Sequence, residues 1–237
     1  YKNSYMTYVL NNYFIPGKKE YERILPEGVN TPFEEYVVSK IDAYKGWTVP
    51  ELAEKFGVET KAKSIQSNIA FRILGIKNNK AEEFAKAGIV VKAIRIQNTG
   101  IIKESMSFPA FKFKELVEEN WEDSTFGNYL RETKFLFVVY KFDKNEVLHL
   151  QGCQFWNIPY EDLENDVRSV WEKTKQVIED GLVIERKNGK YASNLPKIKD
   201  NRICHVRPHA KDSTDTDTLP DGRQYPKQCF WLNRTYI

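Results

Sequence analysis

The 237-residue chain predicts a mixed α/β fold, and three observations carry that expectation. Residues 160–179 place Leu163, Val167, Val170, Trp171, Thr174, Val177 and Ile178 at steps of three and four, the spacing of one face of an α-helix. Residues 88–96 open as a continuous apolar run and then alternate, as a strand does when it leaves an interior for a charged edge. Residues 133–142 and 147–156 are two more strand-like runs, joined by the polar turn Asp143-Lys144-Asn145-Glu146 into a hairpin of the sheet.

From the N-terminus, the first helical signal spans 33–45. Thr48-Val49-Pro50-Glu51 follows, where Thr48 can cap, Pro50 fits the first turn and Glu51 can bond back as in a capping box. The spacing predicts a helix over 49–56 stopped by Gly57, and a second over 62–74, with Ile65, Ile69, Ile73 and Leu74 on one face, ending at Gly75. After the three strands, the 160–179 helix is closed by Gly181 in a left-handed cap, and its acidic residues are read as a solvated face. Short strands are expected around the Asn188-Gly189 turn, at 202–207 and at 228–232. Polar residues fill 212–218.

No uncharged apolar run approaches the roughly 18 residues needed to cross a bilayer, and the opening YKNSYMTYVLNNYF lacks the pattern of a signal peptide. Cys153, Cys204 and Cys229 form neither a disulfide framework nor a CxxC zinc site, so a reducing cytoplasm is the expected compartment. A start at Tyr1 rather than methionine suggests a piece of a longer protein. The net charge of +3 conceals a partition. Residues 61–103 carry +7, residues 159–186 carry −4 and residues 197–237 carry +3 with His205 and His209 in addition. Two basic segments that meet in space would make the footprint of a nucleic-acid binder; separated, they are ordinary solubilising faces.

The segment Glu83-Phe84-Ala85-Lys86-Ala87-Gly88-Ile89-Val90-Val91-Lys92 is the most informative chemically. A metal-dependent nuclease needs two carboxylates converging on Mg²⁺ and a nearby lysine to orient water or stabilise charge. Alternate strand residues share a face, so an acid two residues before Lys92 would meet the metal, yet that position holds Val90. Lys92 is otherwise an ordinary solvent-facing strand residue.

Gly46-Trp47-Thr48-Val49-Pro50-Glu51-Leu52-Ala53 resembles the G-[YW]-T-x-x-E-L-A segment of the MutH and Sau-three-A-one group of GATC-specific endonucleases, within the PD-(D/E)XK nucleases. Phe84 to Ile94 resembles that group's D-F-x-x-L-G-V-E-L-K-T-I, Val206-Arg207-Pro208 its I-R-P-K, and Phe230-Trp231-Leu232 its F-Y-L. The four matches fall in order along nearly the whole chain. The run from His205 to Asn233 is most similar to the C-terminal domain of the group's type II restriction enzymes, in which the fold appears twice and the N-terminal copy cuts.

The resemblance implies a restriction-endonuclease-like fold, a central mixed sheet flanked by helices with a MutH-like DNA cleft. It implies one domain over 1–237, with a helical part to about 85 and a sheet-rich part from about 86. It puts Glu83 at the first acid, Val90 at the second, Lys92 at the lysine and Phe71 at an upstream glutamate. The motif is therefore degenerate, with Glu83 the one position still able to touch a metal and Glu82 the nearest substitute acid. The implied function is a GATC-specific duplex DNA-binding effector domain of a type II site-specific deoxyribonuclease. The parent enzyme would use Mg²⁺, this domain would need none, and the partners would be GATC duplex and the catalytic N-terminal domain of the same chain. Arg207, Pro208 and His209 are assigned to the groove-entering loop, because the arginine fork matches O6 and N7 of guanine. Lys211 falls on phosphates, and Trp231 lies near the adenine or is a core tryptophan with its N–H satisfied.

Three alternatives stay open. The domain could be an active Mg²⁺-dependent GATC endonuclease. Residues 48–58 and the helix after them also read as a helix-turn-helix, with Lys61, Lys63 and Arg72 reaching DNA, although Ala70 and Phe71 sit where a reading face should be polar. A protein-interaction domain with no nucleic-acid role is the third. Asp212, Asp215 and Asp217 do not fit a calcium loop, His149 reads as packed in an apolar strand, and a cysteine nucleophile has no placed histidine.

Overall fold

A computed structural model describes residues 2–15, 21–62, 64–187 and 190–237. The chain forms two compact units, Tyr1–Lys103 with Glu132–Asn157, and Glu104–Arg131 with Ile158–Ile237. The strands over 89–96, 134–142 and 148–156, all after residue 85, fall in the same unit as the N-terminal helices. The Asn188-Gly189 turn lies outside the described residues. Among the described residues, no helix is long and apolar enough to cross a membrane.

The first unit holds α1 (Asn3–Val9), α2 (Phe33–Asp42), α3 (Val49–Phe56), α4 (Ile65–Ile73), α5 (Glu82–Ala87) and β1 (Ile89–Ile96). After β2 (Met106–Ala110), α6 (Phe113–Glu118) and α7 (Thr125–Glu132) of the second unit, the chain returns to the first as β3 (Lys134–Phe142) and β4 (Leu148–Trp156). The sheet order is β1-β3-β4; β1 runs parallel to β3 and β4 antiparallel to it, a mixed sheet with helices packed on it. The expected hairpin is therefore present. Leu136, Val138 and Tyr140 present one face of β3 to Val37, Ile41, Leu52, Ile69, Phe71 and Phe84 from the helices. The Tyr140 hydroxyl, deep in that core, donates to the Gln66 carbonyl at 2.8 Å.

Local chemistry sets the ends of these helices. The Thr48 side chain accepts from the Glu51 N–H at 3.3 Å while Glu51 accepts from the Thr48 N–H at 2.8 Å, the reciprocal box expected from the sequence. The Thr48 N–H, and after it the Thr48 hydroxyl that donates to the same carboxylate at 2.7 Å, hold the Glu51 carboxyl below its ordinary range. Thr48→Ala is expected to lower stability by about 1 kcal/mol in urea unfolding; an unchanged midpoint would show that the box is idle. The α5–β1 junction demands glycine twice over. Gly88 has φ +68°, and a Cβ there would lie 2.5 Å from the Glu132 carbonyl oxygen.

The second unit adds α8 (Arg168–Glu179), β5 (Ile184–Lys187), β6 (Lys190–Ser193), β7 (Cys204–Pro208), β8 (Thr216–Thr218), β9 (Gln224–Pro226) and β10 (Gln228–Leu232). Its main sheet, β2-β10-β7, is antiparallel throughout, and β5/β6 and β8/β9 are separate hairpins. The long amphipathic helix begins as a π-helical turn over Asp162–Val167 and continues as α8, and all seven residues of its expected apolar face are buried. Its acidic residues are not all solvated. Glu164 accepts from the Trp121 indole at 2.6 Å and pairs with Arg131 at 3.1 Å. Asp162 and Asp166 pair with Arg202 at 2.8 and 2.9 Å, so the first turn is clamped by arginines from distant segments.

Candidate nucleic-acid interface

In the first unit, the four positions aligned with the nuclease motif lie on α4, α5 and β1, and their side chains do not assemble a carboxylate pair. Phe71 is buried in the helical core. Both Glu83 oxygens are engaged by backbone: the Ile24 N–H lies 3.1 and 3.2 Å from them and the Leu25 N–H is 2.9 Å from one. Glu83 thus fastens the 24–25 turn to α5. Glu82 pairs with Lys86 and, at 3.7 Å, with Arg23; the Lys86 hydrogen bond chiefly lowers its pKa. Val90 and Lys92 share the β1 face, in register with Phe135 and Phe137 of β3. Those rings cluster with Trp156, with centroids 5.3 to 5.9 Å apart. Among the described residues no group of three or more His, Cys, Asp or Glu side chains is arranged to hold a metal. The residues at these positions do not fit a two-carboxylate Mg²⁺ site, since one carboxylate is committed to amide donors and the facing strand surface is aromatic.

The basic residues considered for a helix-turn-helix fall on or beside α4. Lys61 and Arg72 are exposed, and Lys63 lies outside the described residues. Ile69, Ala70, Phe71 and Ile73 are all buried, so α4 is a core helix with little face left to enter a groove.

The second unit gathers the other set. On β7 and β10, Cys204, Val206, Phe230 and Leu232 alternate inward, which turns His205, Arg207 and Trp231 to the opposite face. Arg207, Pro208, His209 and Lys211 are exposed and Trp231 is half-buried. The Arg207 guanidinium carbon lies 4.7 Å from the Trp231 ring centroid, and the His209 ring lies 6.1 Å from it. The Trp231 N–H donates to the Arg207 carbonyl at 3.4 Å, so the indole is satisfied although it is not a core residue. Lys211 begins a turn organised by aspartates. Asp215 accepts from the Lys211 N–H at 3.0 Å and pairs with Lys227, Asp212 accepts from the Thr214 N–H at 2.9 Å, and Asp217 accepts from the Phe113 N–H at 2.9 Å. Asn233, which no local pattern marks, holds the His205 ring at 2.5 Å.

The surroundings move the pKa values of two histidines in opposite directions. His149, expected to be packed, instead bridges the Gly46 carbonyl at 2.9 Å and Asp143 at 3.3 Å, and the carbonyl contact leads in raising its pKa. Burial, joined by the Arg207 charge, pushes that of His205 below 6.5. Stability from His149 is complete below the unfolded value and is lost as pH rises through its raised pKa; the unfolded chain out-binds His205 for a proton as pH falls through about 6.5, so that contribution is lost on acidification. Urea unfolding at pH 7.5 and 5.5 is therefore expected to show a shallower acid loss in His205→Gln than in wild type, and a steeper one in His149→Gln. Identical slopes in all three proteins would overturn both assignments. Neither Cys153, whose thiol burial pushes up to about 12, nor Cys204, raised further still by burial, offers a thiolate nucleophile.

A helix-flanked mixed sheet carrying two of the nuclease-motif positions on its β1 strand, in a chain whose other unit presents an arginine–aromatic surface, defines a restriction-endonuclease-like protein. The family model described as "DNA mismatch repair enzyme MutH" matches residues 74–169, and the whole chain is 33% identical, over 283 aligned positions, to the "Type II restriction enzyme Sau3AI" of Staphylococcus aureus. The chain belongs to the MutH/Sau3AI-like restriction endonuclease family. It spans 57% of the length of that enzyme.

Proposed function

We propose that this chain is a GATC-specific duplex DNA-binding domain of a type II restriction endonuclease, one that holds a GATC copy while another domain of the same parent chain cuts. The observation that carries the reading is the content of the motif positions: Val90 replaces one acid, Glu83 is bonded to the Ile24 and Leu25 amides, and Phe71 is buried in the core. A domain so built keeps no two-acid clamp, and Mg²⁺ belongs to the cutting domain. Recognition is supported by the exposed Arg207 beside Pro208, His209, Lys211 and Trp231, where a guanidinium fork can meet a guanine edge and the cations can meet phosphates. The site of action is the cytoplasm, where such DNA is met.

Fluorescence anisotropy with a GATC duplex and a scrambled duplex, each at two salt concentrations and with Ca²⁺ or EDTA, tests the reading. Preference for GATC is expected in both metal conditions, with log affinity falling by roughly 0.9 per neutralised phosphate per unit of log salt. Equal binding of both duplexes, or Mg²⁺-dependent cleavage at GATC that Lys92→Ala removes, would sink it.

A further inference from the structure

The contacts around Trp231 supply more than a place beside the DNA. The guanidinium of Arg207 lies 4.7 Å from the indole centroid, within the range of an attractive cation–π contact. The indole itself is not free to swing, because its N–H donates to the Arg207 carbonyl at 3.4 Å, tying the ring to the strand whose side chain it supports. The His205 ring lies nearly parallel to it, 23° between planes and 6.4 Å between centroids. His205 is held in turn by Asn233 at 2.5 Å, and the Asn233 amide donates to the Asn201 carbonyl at 2.7 Å. His205 and Asn233 are both buried, 3% and 1% exposed. A run of fixed groups therefore ends on an exposed arginine.

We propose that Trp231 is a positioning residue for Arg207: a stacking platform, braced by His205 and Asn233, that holds the guanidinium fork extended before DNA arrives. An exposed arginine samples many rotamers, and ordering it on binding costs free energy that lowers discrimination. A fork already stacked has less to lose, and its planar donors are kept in the orientation that a bidentate contact requires. Because the indole N–H is spent on the Arg207 carbonyl, Trp231 acts through the arginine rather than by donating to a base edge. The platform rests on the reading that Arg207 recognises a base.

The test has two arms. In the free protein, the ring current of the indole should shift the Arg207 Nε–H resonance upfield of other exposed arginines, with the peak assigned by its loss in Arg207→Lys. The shift should vanish in Trp231→Leu and persist in Trp231→Phe. In the binding arm, Trp231→Leu should lower the ratio of GATC to scrambled affinity by roughly three- to tenfold, Trp231→Phe should restore most of it, and Trp231→Leu in an Arg207→Ala background should change the ratio no further. An upfield shift with no GATC preference in wild type would refute base reading, and with it the platform's role in specificity, while leaving the stack itself in place. A preserved preference that Arg207→Ala removes, but that Trp231→Leu reduces additively or leaves intact, would overturn the platform and leave base reading standing. Retained unfolding midpoints in the Trp231 variants separate either outcome from loss of fold.

Discussion

Arg207→Ala is expected to erase most of the discrimination between GATC and scrambled duplexes, a change of roughly 5- to 150-fold in the affinity ratio, as for the loss of one good bidentate contact of about 1–3 kcal/mol. The side chain is exposed at the end of β7 and lies over the Trp231 ring; among the described residues its donors make no ion pair, whereas those of Arg202 are committed to Asp162 and Asp166. Affinity for the scrambled duplex should fall far less, and the salt slope should change by no more than about 1, one phosphate's share. Unfolding should barely change, since an exposed side chain away from the core contributes little. An unaltered affinity ratio would remove Arg207 from base recognition.

Phe230→Ala should do the reverse: a loss of about 3–5 kcal/mol in stability, with recognition failing only because the surface that carries it melts. Phe230 is 1% exposed, stacks on Phe126 with centroids 4.3 Å apart and planes at 9°, and lies 5.1 Å from Phe111. It alternates with Cys229 and Trp231 along β10, the central strand of its sheet, so a cavity beneath it loosens the strand that positions Trp231. Against a total stability of about 5–15 kcal/mol, such a loss is large. A shift below 1 kcal/mol in denaturant would show that the aromatic cluster relaxes into the space.

The elements legible in the sequence share one property, that their signal is local. The apolar steps from Leu163 to Ile178 follow the helical period, and the structure buries all seven of those residues. The Thr48–Glu51 box spans three residues, and Gly57 ends α3 at φ +62° as a left-handed cap. The β3–β4 hairpin is closed by a short polar turn. The strand β2 was not legible: Pro109 interrupts a five-residue run, tolerable because β2 lies at an edge of its sheet, and its partner β10 is more than a hundred residues away. The short helices α1, α6 and α7 offer too few turns for a period to stand out.

The same division runs through the candidate site. The sequence by itself determined which side chains stand at the motif positions, that Val90 can ligate nothing, and that Arg207 and Trp231 belong to two late strands. Only the tertiary structure decided what those side chains do, because their partners lie far along the chain. Glu83 meets amides 58 and 59 residues away, the acids of the π-helical turn that leads into α8 meet Arg131 and Arg202 33 to 40 residues away, and Arg207 meets an indole 24 residues on. Periodicity and capping depend on backbone hydrogen bonds within a turn or two, so sequence spacing reports them; a carboxylate's choice between an amide, an arginine and a metal depends on which distant segments the packed core brings within 3 Å.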